Sequence, residues 1–302
     1  MRSGQSQDDI KGEKQMQPIL LYGLVALGYA GLTLATWRHL QLAPQAMALN
    51  PAQRLRVMRA ILFVCLILQA YLLHEQIFTE QGFRFGFSTA LAATFWLGSV
   101  FYWLESSRFP VQSMGLLLHP LSVLTAGLPC FFAAPLNQHM LGALSIWLKG
   151  HIVIALGAYG LFTIAAMHAV FMLLLMHTLH HVQQPRSSAG SFLQRVALSM
   201  PPLMALERIL FRLLLAGLIL LSLTLGSGMF FAEQLFGRPL KFDHKTLFSV
   251  LAWLNFAGLL LGHYGFGWRG RRALYYTLAG FGLLLLAYVG SRFVLEVLLQ
   301  RF

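Results

Sequence analysis

Two long apolar segments meet at the stretch Gly262-His263-Tyr264-Gly265-Phe266-Gly267-Trp268-Arg269-Gly270-Arg271-Arg272-Ala273. The histidine stands where the first segment ends, and a Trp and three arginines follow before the second segment begins. Arginine is costly in hydrocarbon and is concentrated on the cytoplasmic side of membrane proteins, whereas Trp prefers the interface. The stretch therefore predicts a cytoplasmic loop between two membrane-spanning helices, with His263 just inside the bilayer.

The composition of the whole chain agrees with a membrane protein. Of its 302 residues, 57% are hydrophobic and only 11% are charged, whereas soluble domains carry about 25% charged residues. The net charge is +12, and the basic residues are spread over the loops between apolar segments. That distribution is typical of contact with anionic lipid headgroups. We therefore predict the lipid bilayer, and not nucleic acid, as the partner of these basic residues.

The length of the apolar segments predicts the fold class. A helix needs about 20 apolar residues to cross about 30 Å of hydrocarbon. The predicted spans, eight in number, are 18–36, 57–78, 86–104, 111–133, 146–176, 209–231, 245–264 and 273–298. The prediction is an all-α, polytopic transmembrane bundle of eight helices over residues 16–302, preceded by a polar N-terminal extension, residues 1–15.

The distribution of Lys and Arg predicts the orientation of the bundle. One set of loops holds twelve of these residues, the other set holds seven, and the densest clusters lie in the first set. Because positive loops stay in the cytoplasm, the first set is predicted to be cytoplasmic. With an even number of spans, both termini are then predicted to lie outside.

Histidines are the main candidates for chemistry in this chain. Asp and Glu are almost absent from the span interiors, which argues against a transporter that couples to protons through carboxylates. No nucleophile, acid/base pair or nucleotide-binding loop is present, so no enzymatic activity is assigned. Among the eleven histidines, His119 and His168 lie deep, where a lone histidine often hydrogen-bonds to a neighbouring helix.

Two histidines stand out by their neighbours. His151 follows Trp147-Leu148-Lys149-Gly150 and precedes the small residues of Gly157-Ala158-Tyr159-Gly160. A porphyrin needs a ligand nitrogen, a cation for its propionates and a smooth apolar wall, and this segment offers all of them; a helix contact is the alternative. At 1.5 Å of rise per residue, His151 and His263 lie about 20 Å apart in depth, so they cannot share one iron.

Several motifs in residues 145–296 resemble those of the cytochrome c assembly membrane proteins, the CcsA/HemX-like family. The similar segments are Trp147-Leu148-Lys149-Gly150-His151 with Tyr159, Leu223-Thr224-Leu225-Gly226-Ser227-Gly228, Phe242-Asp243-His244-Lys245-Thr246 with Trp253, and His263 with the loop Trp268-Arg269-Gly270-Arg271-Arg272-Ala273. The resemblance implies that His151 is an outward-side haem ligand and that His263 is a membrane-embedded haem ligand.

The sequence departs from the family pattern in two places. The outer loop 233–243 contains no Trp, although the family carries a Trp-rich segment there, and no histidine follows His263. The departures remove support for a haem-attachment reaction but not for a haem-binding bundle.

The resemblance thus implies a protein of the bacterial inner membrane that binds haem b non-covalently and delivers it to a cytochrome assembly partner. His263 is the expected ligand on the cytoplasmic side, with His177, His180 or His181 as possible partners. On the outer side, His74 is the best substitute for the missing second histidine, and Lys149 is a candidate to neutralise propionates. The alternative is a non-catalytic membrane scaffold or accessory subunit that keeps the fold without haem.

Overall fold

The computed structural model describes most of the chain. The described residues are 3–41, 50–79, 82–109, 111–132, 136–137, 146–182, 196, 199–236 and 244–287. The α-helices are α1 (Ser3–Gln41), α2 (Pro51–Ile77), α3 (Phe87–Glu105), α4 (Gly115–Phe131), α5 (Ile146–Val182), α6 (Leu203–Phe236), α7 (His244–Phe266) and α8 (Arg271–Leu285). The prediction of an all-α bundle is confirmed for the described residues, apart from a small ribbon of strands.

That ribbon was not predicted. Its antiparallel strands are β1 (Phe78–Thr79), β2 (Gly82–Arg84) and β3 (Leu136–Asn137), in the order β1-β2-β3. Strand β1 follows α2 directly, and β2 ends shortly before α3 begins. Strands this short carry too few residues for a period of two to be visible in the sequence.

Within the described part of the chain, seven helices are long and apolar enough to cross a membrane. They cover Leu20–Gln41, Ala52–Ile77, Phe87–Glu105, Gln112–Phe131, Lys149–Thr178, Leu203–Met229 and His244–Phe266. Each coincides with one of the first seven predicted spans. The eighth predicted span coincides with α8, whose described 15 residues extend about 23 Å at the α-helical rise.

The helices pack as two rings of four. In the first ring, α1, α2, α3 and α4 each contact the next helix, and α4 returns to α1. In the second ring, α5, α6, α7 and α8 do the same, and α8 returns to α5. The rings meet where α3 contacts α5. We call this contact the seam.

Glycine allows the close approach of the two helices at the seam. A Cβ on Gly160 of α5 would lie 2.6 Å from the Cβ of Leu97 of α3, and a Cβ on Gly98 would lie 3.3 Å from a methyl group of Thr163. Helices that cannot gain from the hydrophobic effect in lipid are held together by such dense packing. The seam therefore brings the backbones of the two rings into direct contact.

The interiors of the two rings differ in polarity. The first ring buries Tyr29, Gln69, Ser99, His119 and Ser122. The Tyr29 hydroxyl donates to Gln69 Oε1 at 2.7 Å, and the two serine Oγ atoms lie 3.1 Å apart. Among the described residues, the second ring buries fewer polar side chains, and its core consists mainly of leucines and alanines around a pair of aromatic rings. Those rings, Phe162 and Phe256, stack with centroids 4.0 Å apart. The buried polar side chains of its helices are those of Thr163, His168 and Thr277.

Candidate functional site

His263 lies near the end of α7 and is half-buried. Its Nδ1 is 2.9 Å from the carbonyl oxygen of Trp268, and its ring stacks on Phe211 of α6 with centroids 3.4 Å apart. A carbonyl oxygen only accepts hydrogen bonds, so Nδ1 carries the proton and Nε2 of the neutral ring keeps its lone pair. Histidines that ligate metals are held in this way, with the second nitrogen bonded to a backbone carbonyl or carboxylate.

The arginine-rich loop is folded back onto the end of α7. Gly267 has a positive φ of 69°, and its N–H donates to the His263 carbonyl at 3.1 Å. The Trp268 N–H donates to the Gly262 carbonyl at 3.0 Å. The indole of Trp268 lies where a side chain on Gly262 would stand. This turn fixes the Trp268 carbonyl, which in turn orients the His263 ring.

Two arginines of the same loop are anchored close to His263. The Arg272 guanidinium lies 5.2 Å from the centroid of the Trp268 ring. Arg269 Nε lies 3.6 Å from Oε1 of Glu207, at the start of α6. Arg269 is well exposed, with 61% of its side chain accessible. Arg272 is thus held on the ring of the residue whose carbonyl orients His263, and Arg269 is held on the first turns of α6.

His151 lies near the other end of the second ring, in the first turns of α5. Its Nδ1 is 2.8 Å from Ser227 Oγ of α6. That hydroxyl donates to the Leu223 carbonyl at 2.6 Å, so it accepts the Nδ1 proton of His151. The Lys245 ammonium of α7 interacts with His151 electrostatically. The imidazole, the hydroxyl that orients it and the nearby cation thus come from three helices of the second ring.

The structure places the other two predicted site residues away from this side of α5. His74, near the end of α2 in the first ring, is 66% exposed and lies 3.6 Å from Glu75 Oε1. Lys149 is exposed at the start of α5. Leu73 and Ile152, which adjoin His74 and His151, belong to one apolar cluster, so the two histidines lie at the same end of the bundle. The imidazole of His151 is turned towards α6, and that of His74 towards Glu75.

Their contacts with helix α6 show how far apart in depth His151 and His263 lie. Phe211 of α6 contacts His263, and Ser227 of the same helix contacts His151. These two α6 residues are sixteen positions apart, which corresponds to about 24 Å along an α-helix. His151 and His263 therefore stand at opposite ends of the second ring, too far apart to ligate one iron.

Sequence reasoning did not find the residues that orient these histidines. Ser227 lies within the Leu223–Gly228 segment that resembles the family, but nothing in that segment indicated a contact with His151. Phe211 lies in an apolar stretch like many others in the chain. The deeper histidines gave mixed results. His168 does bond to a neighbouring helix, since its Nε2 is 2.8 Å from Glu105 Oε1 of α3, which confirms that interpretation. His119 instead contacts the rings of Tyr29 and Tyr102, and its Nδ1 has no hydrogen-bond partner among the described residues.

Known proteins match most of this chain. A sequence model of the family described as "Cytochrome C assembly protein" matches residues 54–299. The inner membrane protein YpjD of Escherichia coli strain K12 is 37% identical over 148 residues, which are 49% of this chain and 52% of that protein. The cytochrome c biogenesis protein CcsA of Prochlorococcus marinus strain MIT 9515 is 24% identical over 206 residues, which are 63% and 66% of the two chains.

A third relative is an uncharacterized 28.8 kDa protein of Azospirillum brasilense. It is 35% identical over 168 residues, which are 52% of this chain and 55% of the relative. The chain thus matches about half the length of the YpjD and Azospirillum proteins, and the matched half of this chain overlaps the residues that the family model covers.

Proposed function

The chain belongs to the cytochrome c assembly protein family, and from that premise we propose that it is a multi-pass inner membrane protein that binds haem b non-covalently. The single observation that supports the proposal best is the orientation of His263. Its Nδ1–H is held by the Trp268 carbonyl, so the lone pair of Nε2 is available to an iron. Haem at this position would supply a redox-active iron and two propionate groups.

The surroundings of His263 suit the remaining needs of a haem. Phe211 supports one face of the imidazole, and Tyr264 meets its edge with centroids 5.0 Å apart. Arg269 and Arg271 are exposed in the same loop and would neutralise propionates. The partner ligand would come from the end of α5, where His177 is exposed; the side chains of His180 and His181 lie outside the described residues.

His151 is the candidate ligand of a second haem site, at the opposite end of the second ring. Here the second ligand would be His74, and Lys149 would be joined by Lys245 as a cation for propionates. The structure favours His263 for the first test because His151 is turned towards α6 and His74 towards Glu75. From either site, we propose that haem is passed to a cytochrome assembly partner, as the name of the CcsA relatives suggests.

The topology that we propose has eight spans, with α8 completing the last and both termini outside. The arginine loop after α7 is then cytoplasmic, and His263 lies on the cytoplasmic side. A reporter that is active only outside the cytoplasm should be active when fused after Phe302 and silent when fused at Gly270. The opposite pattern would reverse the orientation.

A visible spectrum of the purified, dithionite-reduced protein from haem-replete cells tests the proposal. We expect a haem b spectrum in the unaltered protein and its loss in His263→Ala. His151→Ala and His74→Ala should keep it. His39→Ala is the matched control, since His39 is an exposed histidine near the end of α1. Loss of the haem spectrum in both His151→Ala and His74→Ala would instead assign the haem to the site at His151.

One observation favours the rival function, a membrane scaffold or accessory subunit without haem. Among the described residues, the buried core of the second ring is built mainly of apolar side chains around the stacked Phe162 and Phe256, and such side chains supply neither an iron ligand nor a cation for propionates. Unaltered protein that contains no haem after haem-replete growth would support this rival. Full haem content in all three folded histidine variants would refute both ligand sites.

A further inference from the structure

A buried pair of ionisable side chains lies across the seam. His168 of α5 presents Nε2 to Oε1 of Glu105, the last residue of α3, at 2.8 Å. The His168 side chain is 0% exposed and that of Glu105 is 9% exposed. The pair lies where the two rings meet, and neither residue takes part in the contacts described above for His151 and His263.

The hydrogen bonds of His168 show how many protons the pair holds. Nδ1 lies 3.0 Å from the backbone carbonyl oxygen of Ile164, which only accepts, so Nδ1 carries a proton. If Nε2 had none, its lone pair would face a carboxylate oxygen that also only accepts. Two acceptors do not approach to 2.8 Å, so a second proton lies between Nε2 and Oε1 of Glu105. It belongs either to an imidazolium beside a carboxylate or to a carboxylic acid beside a neutral imidazole.

The described surroundings of Glu105 supply little compensation for a buried negative charge. Its Oε2 is buried and has no hydrogen-bond partner among the described residues. Tyr102, one turn earlier on α3, interacts with Glu105 electrostatically, and the Tyr102 ring meets His119 of α4 edge-on. Within the described chain, the ion pair of Glu105 is with His168. A buried carboxylate without its compensating proton is strongly unfavourable.

We propose that Glu105 and His168 together form a buried binding site for a single proton, which keeps the seam between the two rings electrically neutral. With that proton in place, the pair has no net charge and bonds α3 to α5. Without it, one negative charge would remain between the rings. The proposal is independent of haem, because it rests on the tautomer of His168 and on the burial of Glu105.

Glutamine substitutions test the proposal because they change charge and leave size nearly constant. We expect His168→Gln to lower the melting temperature of the full chain in lipid nanodiscs by several degrees. Its amide still donates to Glu105 but cannot carry the proton. Glu105→Gln should melt close to the unaltered protein, since its amide donates to Nε2 of His168. The double variant should then melt above His168→Gln, because the buried negative charge is gone.

The exposed pair of His74 and Glu75 supplies the matched control, and Glu75→Gln should leave the melting temperature unchanged. A double variant that melts at or below His168→Gln would overturn the proposal. Nitrogen-15 NMR of the histidine-labelled protein in lipid gives an independent measurement if a variant fails to fold. We expect the chemical shift of His168 Nε2 to be that of a protonated or strongly hydrogen-bonded nitrogen. A shift typical of an unprotonated nitrogen without a hydrogen bond would also overturn the proposal.

Discussion

The two four-helix rings differ in where most of their polar side chains lie. The first ring holds them inside, where Tyr29 bonds to Gln69 and His119 lies between aromatic rings. The second ring has a core of apolar side chains, and its histidines of interest, His151 and His263, stand at its two ends. Rings of similar size in the same bilayer are thus held together in different ways.

The difference has a physical reason. In lipid, helices associate through dense packing or through hydrogen bonds between their side chains, since hydrocarbon offers no hydrophobic driving force. The first ring has hydrogen bonds between buried side chains in its interior, whereas the interior of the second is close-packed around Phe162 and Phe256. The hydrogen bonds between helices of the second ring, such as that of His151 with Ser227, involve partly exposed side chains. Packing occupies the core of the second ring, and the two proposed haem ligands lie at its ends. We therefore expect the two rings to respond differently to the same kind of substitution.

The largest effect is expected in the core of the second ring. Phe256→Ala removes one partner of the stacked pair and should lower the free energy of unfolding by about 2 kcal/mol, less than in a soluble core because lipid solvates the ring in the unfolded state. Reversible unfolding in mixed micelles measures it. Leu261→Ala is the control on the same helix, since Leu261 is 71% exposed. If Phe256→Ala and Leu261→Ala lower the free energy of unfolding equally, close packing around Phe256 does not stabilise the second ring.

A smaller effect is expected inside the first ring. Tyr29→Phe removes the hydroxyl that donates to Gln69 and should lower the free energy of unfolding by about 1 kcal/mol. The same micelle assay applies, with Tyr71→Phe as control because Tyr71 is 54% exposed on α2. If Tyr29→Phe proves as stable as the unaltered protein, the buried polar groups of the first ring do not hold its helices together.

The smallest effect on stability is expected at the end of the second ring that carries His151. Ser227→Ala removes the acceptor of the Nδ1 proton and should cost about 0.6 kcal/mol, the mean for a hydrogen bond between membrane helices. The reduced haem spectrum should stay unchanged, because we place haem at His263. Thr224→Ala, one turn earlier on α6, is the control. A spectrum that shifts in Ser227→Ala alone would instead assign haem to His151.

The sequence was sufficient to predict seven of the spans and the separation of the two main histidines. Both follow from local quantities, namely the length of apolar segments and the rise per residue of a helix. The eighth span and the outward position of the termini stay predictions.

The arrangement of the rings and the partners of the histidines could not be predicted in the same way. Which helices touch is decided by how their surfaces fit, as where Gly160 meets Leu97. Glu105 received no role because it stands at the end of a span, where a carboxylate is usually solvated. Its pairing with His168 depends on the contact between α3 and α5, which no spacing in the sequence shows. Ser227 was overlooked for the same reason.

The seam also has a consequence for how the protein is made. The four helices of the first ring precede those of the second along the chain, so the first ring can close while the ribosome is still producing the rest. Glu105 is followed by His168 only 63 residues later, which takes roughly 3–13 s at ordinary rates of translation. During that time the carboxylate has no imidazole beside it. Its position at the very end of α3 lets it wait in contact with water until α5 is inserted.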